Sequence, residues 1–161
     1  MKLMLNGAVT LGTYDGANVE IFEQAGIDNN FVFGATVDEI NAAKATYDPV
    51  KLYKANKRLK RVIDALADGT FEPAPKKGAE LYEGDLAELR KALLEGASWH
   101  QPDHYFLLMD FDSYMEAKLR AIRAAAKGVP FAKMCLENIA GAGKFSSDRT
   151  IREYWDELWS R

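Results

Sequence analysis

Residues 9–34 read VTLGTYDGANVEIFEQAGIDNNFVFG, a run that predicts a strand, a helix and a second strand. The β-branched and aromatic residues at 9–13 and 31–34 are typical of short strands bounded by turns. Between them, apolar residues recur at helical spacing over residues 17–25, and Gly26 is a typical helix stop. A strand–helix–strand unit is the building block of a parallel sheet.

The rest of the chain is predicted to be mostly helical. Ser, Thr or Asp followed three residues later by Glu is a capping box, and this pattern occurs three times at predicted helix starts. The predicted helices begin at Thr36, Asp48, Asp85, Ser113, Pro130 and Ser146. We expect the second of them to run unbroken to Gly69 and a loop with two prolines to follow at residues 70–79. The apolar run at residues 105–109 fits either an extended segment or a buried turn.

Composition excludes several classes of protein. The 161 residues carry 21 Lys and Arg against 24 Asp and Glu, a net charge of −3, which argues against a nucleic-acid-binding surface. Cys135 is the single cysteine, so no internal disulfide can form, and its apolar neighbours favour an inert core thiol. No stretch approaches the roughly 20 apolar residues that span a bilayer. We expect a cytoplasmic protein without membrane or nucleic-acid partners.

Two loops contain residues that could bind a ligand. The turn from Gly12 to Gly16 joins a strand to a helix, where backbone N–H groups can bind an anion. Its spacing matches neither a dinucleotide-binding motif nor a P-loop, which favours a tight turn with Asp15 as the helix cap. His100 and His104 share a second loop, but Pro102 between them and the lack of a third ligand disfavour a metal site.

Two further clusters of polar residues do not stand out as catalytic. Ser146, Ser147 and Asp148 have no histidine at the spacing of a hydrolase triad. Asp110 and Asp112 precede a predicted helix, where acidic residues are common. Neither cluster identifies a catalytic residue.

Two longer segments are far more specific. Residues 1–20, MKLMLNGAVTLGTYDGANVE, closely resemble the pyridoxal-phosphate segment of the α-glucan (glycogen/starch) phosphorylases. Residues 143–151, GKFSSDRTI, with Tyr154 after them, resemble that family's carboxy-terminal signature. The two segments have the order and separation found in the family, so the resemblance covers nearly the whole chain.

The resemblance implies an α/β fold. The family has a two-domain B-type glycosyltransferase architecture, and this chain corresponds to the carboxy-terminal part of the second, Rossmann-like, cofactor-bearing domain. We expect this piece to be mostly α-helical, with two or three short parallel strands. Residues 1–161 are expected to form a single incomplete domain. It divides into a strand–helix–strand unit at 1–35, a helical part at 36–145 and a terminal crossover helix at 146–161.

The resemblance also implies a function. The family cleaves α-1,4-glucosidic bonds at non-reducing ends with inorganic phosphate and releases glucose 1-phosphate. Its pyridoxal phosphate acts through the 5′-phosphate, which takes part in proton transfer to the substrate phosphate. By match to the family motif, Lys2 is the lysine that forms the Schiff base with the cofactor. No metal ligand is implied.

Parts of the family's active site stand outside the 161 residues. These are the glycine-rich loop before Met1, the basic residues that hold substrate phosphate and the first domain. We therefore expect the isolated chain to be inactive, without bound cofactor, and to have the missing amino-terminal portion of the same enzyme as its partner. Two alternatives remain: a small subunit that complements a separate amino-terminal part, and a self-associating protein without catalysis. The aromatic final helix leads us to expect that this chain forms a homo-oligomer.

Overall fold

The computed structural model describes residues 1–71 and 85–160, except for the side chain of Asp85. The chain forms two compact units: Met1–Val37 with Asp112–Arg161 makes unit 1, and Asp38–Phe111 makes unit 2. The described residues are mostly helical and include one two-stranded parallel sheet, which confirms the predicted fold class. Among them, no helix is long and apolar enough to cross a bilayer.

The sheet of unit 1 pairs β1 (Leu11–Thr13) with β2 (Phe31–Phe33), and α1 (Gly16–Ala25) connects them. The strand–helix–strand prediction is confirmed, although both strands are shorter than expected. Asn30 fixes the pairing from its buried position, because its Oδ1 accepts the backbone N–H of Thr10 at 2.9 Å. A buried amide side chain that bridges the strands in this way holds their register.

Helix α7 (Val129–Gly141) packs against α1 in unit 1. The apolar core of this unit lies in α1 and in the segments before β1 and after α7, and its buried residues are Met4, Ile21, Phe22, Ala25 and Ala142. The two helix backbones come unusually close at Gly141, where a Cβ atom would stand 2.7 Å from the backbone oxygen of Gln24. Only glycine permits this approach.

Helix α6 (Leu107–Ala125) begins in unit 2, and its later turns belong to unit 1. There the backbone N–H of Gly34 donates to Ser113 Oγ at 3.0 Å, and Arg120 donates to the carbonyl of Val32 at 3.2 Å. The prediction that Ser113 begins this helix is wrong. The helix begins earlier, at Leu107. Ser113 therefore lies within the helix, and its hydroxyl accepts the N–H of Gly34 directly after β2.

The chain of unit 1 ends in α8 (Ser147–Tyr154), which continues as a π-helical turn over Trp155–Trp159. Ser146 holds the position before α8 with an extended backbone, as predicted, although its side chain makes no capping hydrogen bond. The apolar face predicted for this helix is exposed in the structure. Its members are Ile151, Tyr154, Trp155, Leu158 and Trp159.

Unit 2 contains α3 (Pro49–Ala55), α4 (Lys57–Ala65), α5 (Asp85–Leu94) and most of α2 (Val37–Ala43). The single helix predicted from Asp48 to Gly69 is wrong, because Asn56 divides it. Asn56 has an extended backbone, and its Oδ1 accepts the N–H groups of Arg58 and Leu59, which caps the second helix. The core of unit 2 is formed by Leu59, Ile63, Leu93, Leu94 and Leu108.

Two predictions concern residues outside the described part of the chain. Residues 72–79 of the predicted proline loop lie there, and so does the side chain that was expected to cap α5 at Asp85. The division of residues 1–161 as a single incomplete domain stays a prediction.

Candidate functional site

Lys2 lies in a tight turn at the start of unit 1. The N–H of Met4 donates to the carbonyl of Met1 at 3.0 Å, and the side chain of Asn6 donates to the carbonyl of Lys2 at 3.2 Å. These bonds fix the backbone of Lys2, while the residue itself is exposed. The structure therefore presents an exposed lysine on a defined backbone.

Met4 anchors this turn in the core. Its side chain is 2% exposed and packs in the cluster that contains Phe22 and Ala142. After it, Gly7 turns the chain with a φ of +76°, a left-handed conformation that suits glycine. A Cβ atom at Gly7 would also press against Cys135 of α7 at 3.3 Å. The segment that carries Lys2 is thus held by α1 and α7 together.

The turn between β1 and α1 is stabilised by hydrogen bonds from side chains of residues 13–18. Asn18 donates to the carbonyl of Thr13 at 3.0 Å, and the Thr13 hydroxyl donates to Asp15 at 2.8 Å. Asp15 stands at the helix start as predicted, but its side chain does not cap the helix. A Cβ atom on Gly12 would stand 2.6 Å from Asn18 Nδ2, so this glycine makes room for the amide that braces the turn.

The carboxy-terminal segment 143–151 meets the amino-terminal segment in the same cluster. Phe145 of this segment packs against the cluster, and Ala142, directly before the segment, is buried in it together with Met4. Arg149 donates to the carbonyl of Lys144 at 2.6 Å and pairs with Glu153. The structure thus brings together the two sequence segments that are most specific, although they lie at opposite ends of the chain.

Comparison with known proteins covers both of these segments. The chain matches the family model described as carbohydrate phosphorylase over residues 1–161. The chain belongs to the carbohydrate phosphorylase family. The match therefore includes both the amino-terminal and the carboxy-terminal segment.

Three relatives show how much of each protein the similarity covers. The liver form of glycogen phosphorylase from Homo sapiens is 38% identical over 161 residues, which are 99% of this chain and 18% of that protein. Glycogen phosphorylase from Synechocystis is also 38% identical, over 99% of this chain and 17% of that protein. The Bacillus subtilis glycogen phosphorylase is 35% identical, over 99% and 18%. The chain therefore spans less than a fifth of the length of these relatives.

The histidine loop of this phosphorylase chain lies in unit 2, away from Lys2 in sequence. The rings of His100 and His104 contact each other, with centroids 4.5 Å apart. Within residues 1–71 and 85–160, no three His, Cys, Asp or Glu side chains are grouped to hold a metal ion. The two histidines are therefore part of an aromatic cluster in the described structure.

Asp103, between these histidines, has a role that the sequence did not suggest. Its side chain is buried, and its two oxygens accept the N–H groups of Leu107 and Leu108 at 2.9 and 2.8 Å. It therefore caps α6, the function that sequence reasoning assigned to Ser113. The hydroxyl of Tyr47 also donates to Asp103.

This arrangement predicts a loss of stability in alkali. Burial, and then the hydrogen bond to the Asp103 carboxylate, raise the pKa of the Tyr47 hydroxyl above its usual range. Above a pH of about 10, a tyrosine in the unfolded chain loses its proton while Tyr47 in the folded chain keeps it. The folded state then binds more protons, so the stability that Tyr47 contributes is fully present below this pH and is lost as the pH rises.

Urea denaturation between pH 8 and 11 tests this expectation. Wild type should lose free energy of unfolding more steeply above pH 10 than Tyr47→Phe does. At neutral pH the variant should be less stable by about 1 kcal/mol, the usual contribution of one hydrogen bond. Tyr105→Phe, at an exposed tyrosine of the same unit, is the control. Identical alkaline slopes for wild type and Tyr47→Phe would contradict the role assigned to Tyr47.

Proposed function

We propose that this chain supplies the cofactor-bearing carboxy-terminal part of an α-1,4-glucan phosphorylase. The enzyme would cleave glycogen, starch or maltodextrin with inorganic phosphate and release glucose 1-phosphate. The single observation that carries the proposal is the end-to-end family match, with relatives named glycogen phosphorylases. The shared packing of residues 1–20 and 143–151 supports it.

Lys2 is the residue proposed to hold pyridoxal phosphate. Its side chain is accessible and its backbone is fixed by the Met4 anchor, which suits a covalent tether. When bound, the cofactor supplies a phosphate group that takes part in proton transfer to the substrate phosphate. Within this chain, Lys2 positions that group, and the packing of Met4 against α1 and α7 holds Lys2 in place.

The isolated chain is proposed to be inactive and without bound cofactor. Cofactor sites are concave and enclose most of the bound molecule. Lys2 is exposed, so the described residues of this chain do not enclose a cofactor at its amine. The proposed partner is an amino-terminal portion of the same enzyme, which would enclose Lys2 and bring the surfaces for glucan and phosphate.

An assay of glucose 1-phosphate release tests this proposal. The 161-residue chain is incubated with glycogen, phosphate and pyridoxal phosphate, with and without an amino-terminal portion of a relative. That portion would be taken from the Bacillus subtilis enzyme and end before the segment that aligns with Met1. We expect no release from either part alone and release from the mixture. Release by the chain alone would overturn the proposed inactivity, and an inactive mixture that nevertheless assembles would count against the proposed role.

The exposed aromatic face of the π-helical turn after α8 is proposed to drive self-association when that portion is absent. Trp155, Leu158 and Trp159 are 59%, 64% and 58% exposed, and apolar surface of this kind usually marks an interface. The double change Trp155→Ser and Trp159→Ser should shift the mass measured by light scattering towards that of a monomer. Leu107→Ser, at an exposed apolar residue of unit 2, is the control. A monomeric wild type at high concentration would contradict this expectation.

A further inference from the structure

The turn that carries Lys2 is held by two kinds of hydrogen bond. The carbonyls of Met1, Leu3 and Met4 each accept backbone N–H groups, at distances from 2.9 to 3.1 Å. The carbonyl of Lys2 instead accepts a side-chain group, the Nδ2 atom of Asn6, at 3.2 Å. A single substitution at Asn6 can therefore release the Lys2 carbonyl while the backbone bonds of the turn remain.

Asn6 itself has a fixed backbone. Its N–H donates to the carbonyl of Leu3 at 3.0 Å, and it ends the short 3-10 helix that begins at Met4. Met4 is buried in the core of unit 1, and the N–H of Gly7 donates to its carbonyl at 2.9 Å. Both ends of the bond between Asn6 and Lys2 thus lie on backbone that is anchored through Met4.

The chemistry of the bond requires an amide at this position. A backbone carbonyl oxygen only accepts hydrogen bonds, so the NH₂ group of Asn6 has to face Lys2. Aspartate has nearly the same shape but no donor when it is ionised, so Asn6→Asp would place two acceptors together. Because Asn6 is exposed, this change leaves the apolar core intact.

A fixed backbone at Lys2 favours a bound cofactor. The amine of a lysine stands at the end of a flexible four-carbon stem, so a group that binds to it must order the stem and any mobile backbone behind it. Ordering the backbone before the ligand arrives reduces this cost and raises affinity. The bond from Asn6 acts on the backbone of Lys2 in this way.

We propose that Asn6 is a positioning residue for the cofactor lysine. Its amide holds the carbonyl of Lys2, and this orders Lys2 for pyridoxal phosphate. Asn6 acts through Lys2 and not through contact with the cofactor. The inference rests on the proposed function, because it requires that Lys2 binds the cofactor.

Titration of pyridoxal phosphate into the chain reassembled with the amino-terminal portion tests this inference. Brief borohydride reduction and peptide mapping then measure the fraction of Lys2 that carries the cofactor. Asn6→Ala and Asn6→Asp should each raise the half-saturating concentration by about fivefold, the factor that one hydrogen bond usually contributes. Asn6→Gln, which keeps an amide donor, should recover most of the affinity.

The rate of phosphorolysis gives a second measurement on the same variants. At saturating pyridoxal phosphate, the rate for Asn6→Ala should return to within about twofold of wild type, because the lost bond contributes to binding and not to the transition state. A large deficit that persists at saturation would contradict a role in cofactor binding alone.

Asn29→Ala is the matched control. Asn29 also donates from its side chain to the carbonyl four residues earlier, that of Ala25, at 2.8 Å, and it lies in the same unit. Asn29→Ala should lower the free energy of unfolding in urea but leave the half-saturating concentration at the wild-type value. A purely structural role would move this concentration equally in Asn6→Ala and Asn29→Ala.

The outcomes separate this inference from the proposed function. Equal half-saturating concentrations for wild type and Asn6→Ala, or an equal rise for Asn6→Ala and Asn29→Ala, would overturn the role of Asn6 and leave the Lys2 proposal standing. A reassembled wild type without label on Lys2 would overturn the proposed function, and the role of Asn6 with it. Circular dichroism identifies any variant that fails to fold, and the contrast between Asn6→Asp and Asn6→Gln then still tests the donor.

Discussion

Lys2→Ala is expected to abolish glucose 1-phosphate release by the chain reassembled with an amino-terminal portion. In the proposed enzyme Lys2 is the tether that positions the cofactor phosphate for proton transfer. Positioned proton transfer contributes about 10²–10⁴-fold to a rate, so activity should fall by at least this factor. Lys2→Arg should be equally inactive, because a guanidinium keeps the charge but does not form the covalent bond.

The control for this experiment is Lys133→Ala, at an exposed lysine on α7. It changes the charge of the chain by the same amount and should leave the rate of phosphorolysis within about twofold of wild type. Gel filtration should show that the Lys2 variants still assemble with the added portion. A Lys2→Ala chain that supports phosphorolysis at the wild-type rate would exclude Lys2 as the cofactor lysine.

Among single glycine-to-alanine changes in unit 1, Gly141→Ala is expected to cause the largest loss in the free energy of unfolding. The added Cβ atom would stand 2.7 Å from the oxygen and 2.9 Å from the carbonyl carbon of Gln24, and 3.1 Å from the nitrogen of Ala25. All three are backbone atoms of α1, so no side chain can rotate away. Overpacking of this kind costs about 1–3 kcal/mol, and we expect the upper end because two helix backbones must separate.

Gly143→Ala is the matched control for this change. Gly143 lies two residues further along the chain, and nothing stands within 4 Å of an added Cβ atom there. The free energy of unfolding of Gly143→Ala should stay within about 0.5 kcal/mol of wild type, as for an uncrowded surface site. Urea titrations followed by far-ultraviolet circular dichroism compare the two variants. Equal stabilities for Gly141→Ala and Gly143→Ala would show that α1 and α7 are not in close backbone contact.

Much of unit 1 could be predicted from its sequence because its signals are local. The strands at Leu11–Thr13 and Phe31–Phe33 and the helix between them follow from side-chain type and from Gly26 as a stop. The start of α7 follows from Pro130, whose fixed φ suits the first turn. The register of β1 and β2 could not be predicted, because it depends on the buried amide of Asn30.

The errors in helix boundaries have a common physical cause. Asn56 ends α3 and caps α4 although its neighbours have strong helical signals, and Asp103 caps α6 from the loop that precedes this helix. The Ser113 capping box was misleading because the hydroxyl of a serine inside a helix can still bind elsewhere, here to Gly34. A cap is decided by which N–H groups lack partners, and this depends on tertiary structure.

Part of the candidate site could be predicted from local sequence, and part depends on contacts between residues far apart in the chain. Lys2 could be assigned from a sequence motif, since residues 1–20 are specific enough to identify the family. The packing of Met4 with Ala142, which joins the two ends of the chain, needs coordinates.

Borohydride reduction of the reassembled chain in the presence of pyridoxal phosphate tests the central claim most directly. Reduction fixes the cofactor to the amine that holds it, and peptide mapping by mass spectrometry identifies that amine. We predict one phosphopyridoxyl group per chain, on Lys2, when the amino-terminal portion is present, and no stoichiometric label on the chain alone. A stoichiometric label at another lysine, or phosphorolysis by an assembly with Lys2 unlabelled, would contradict the account.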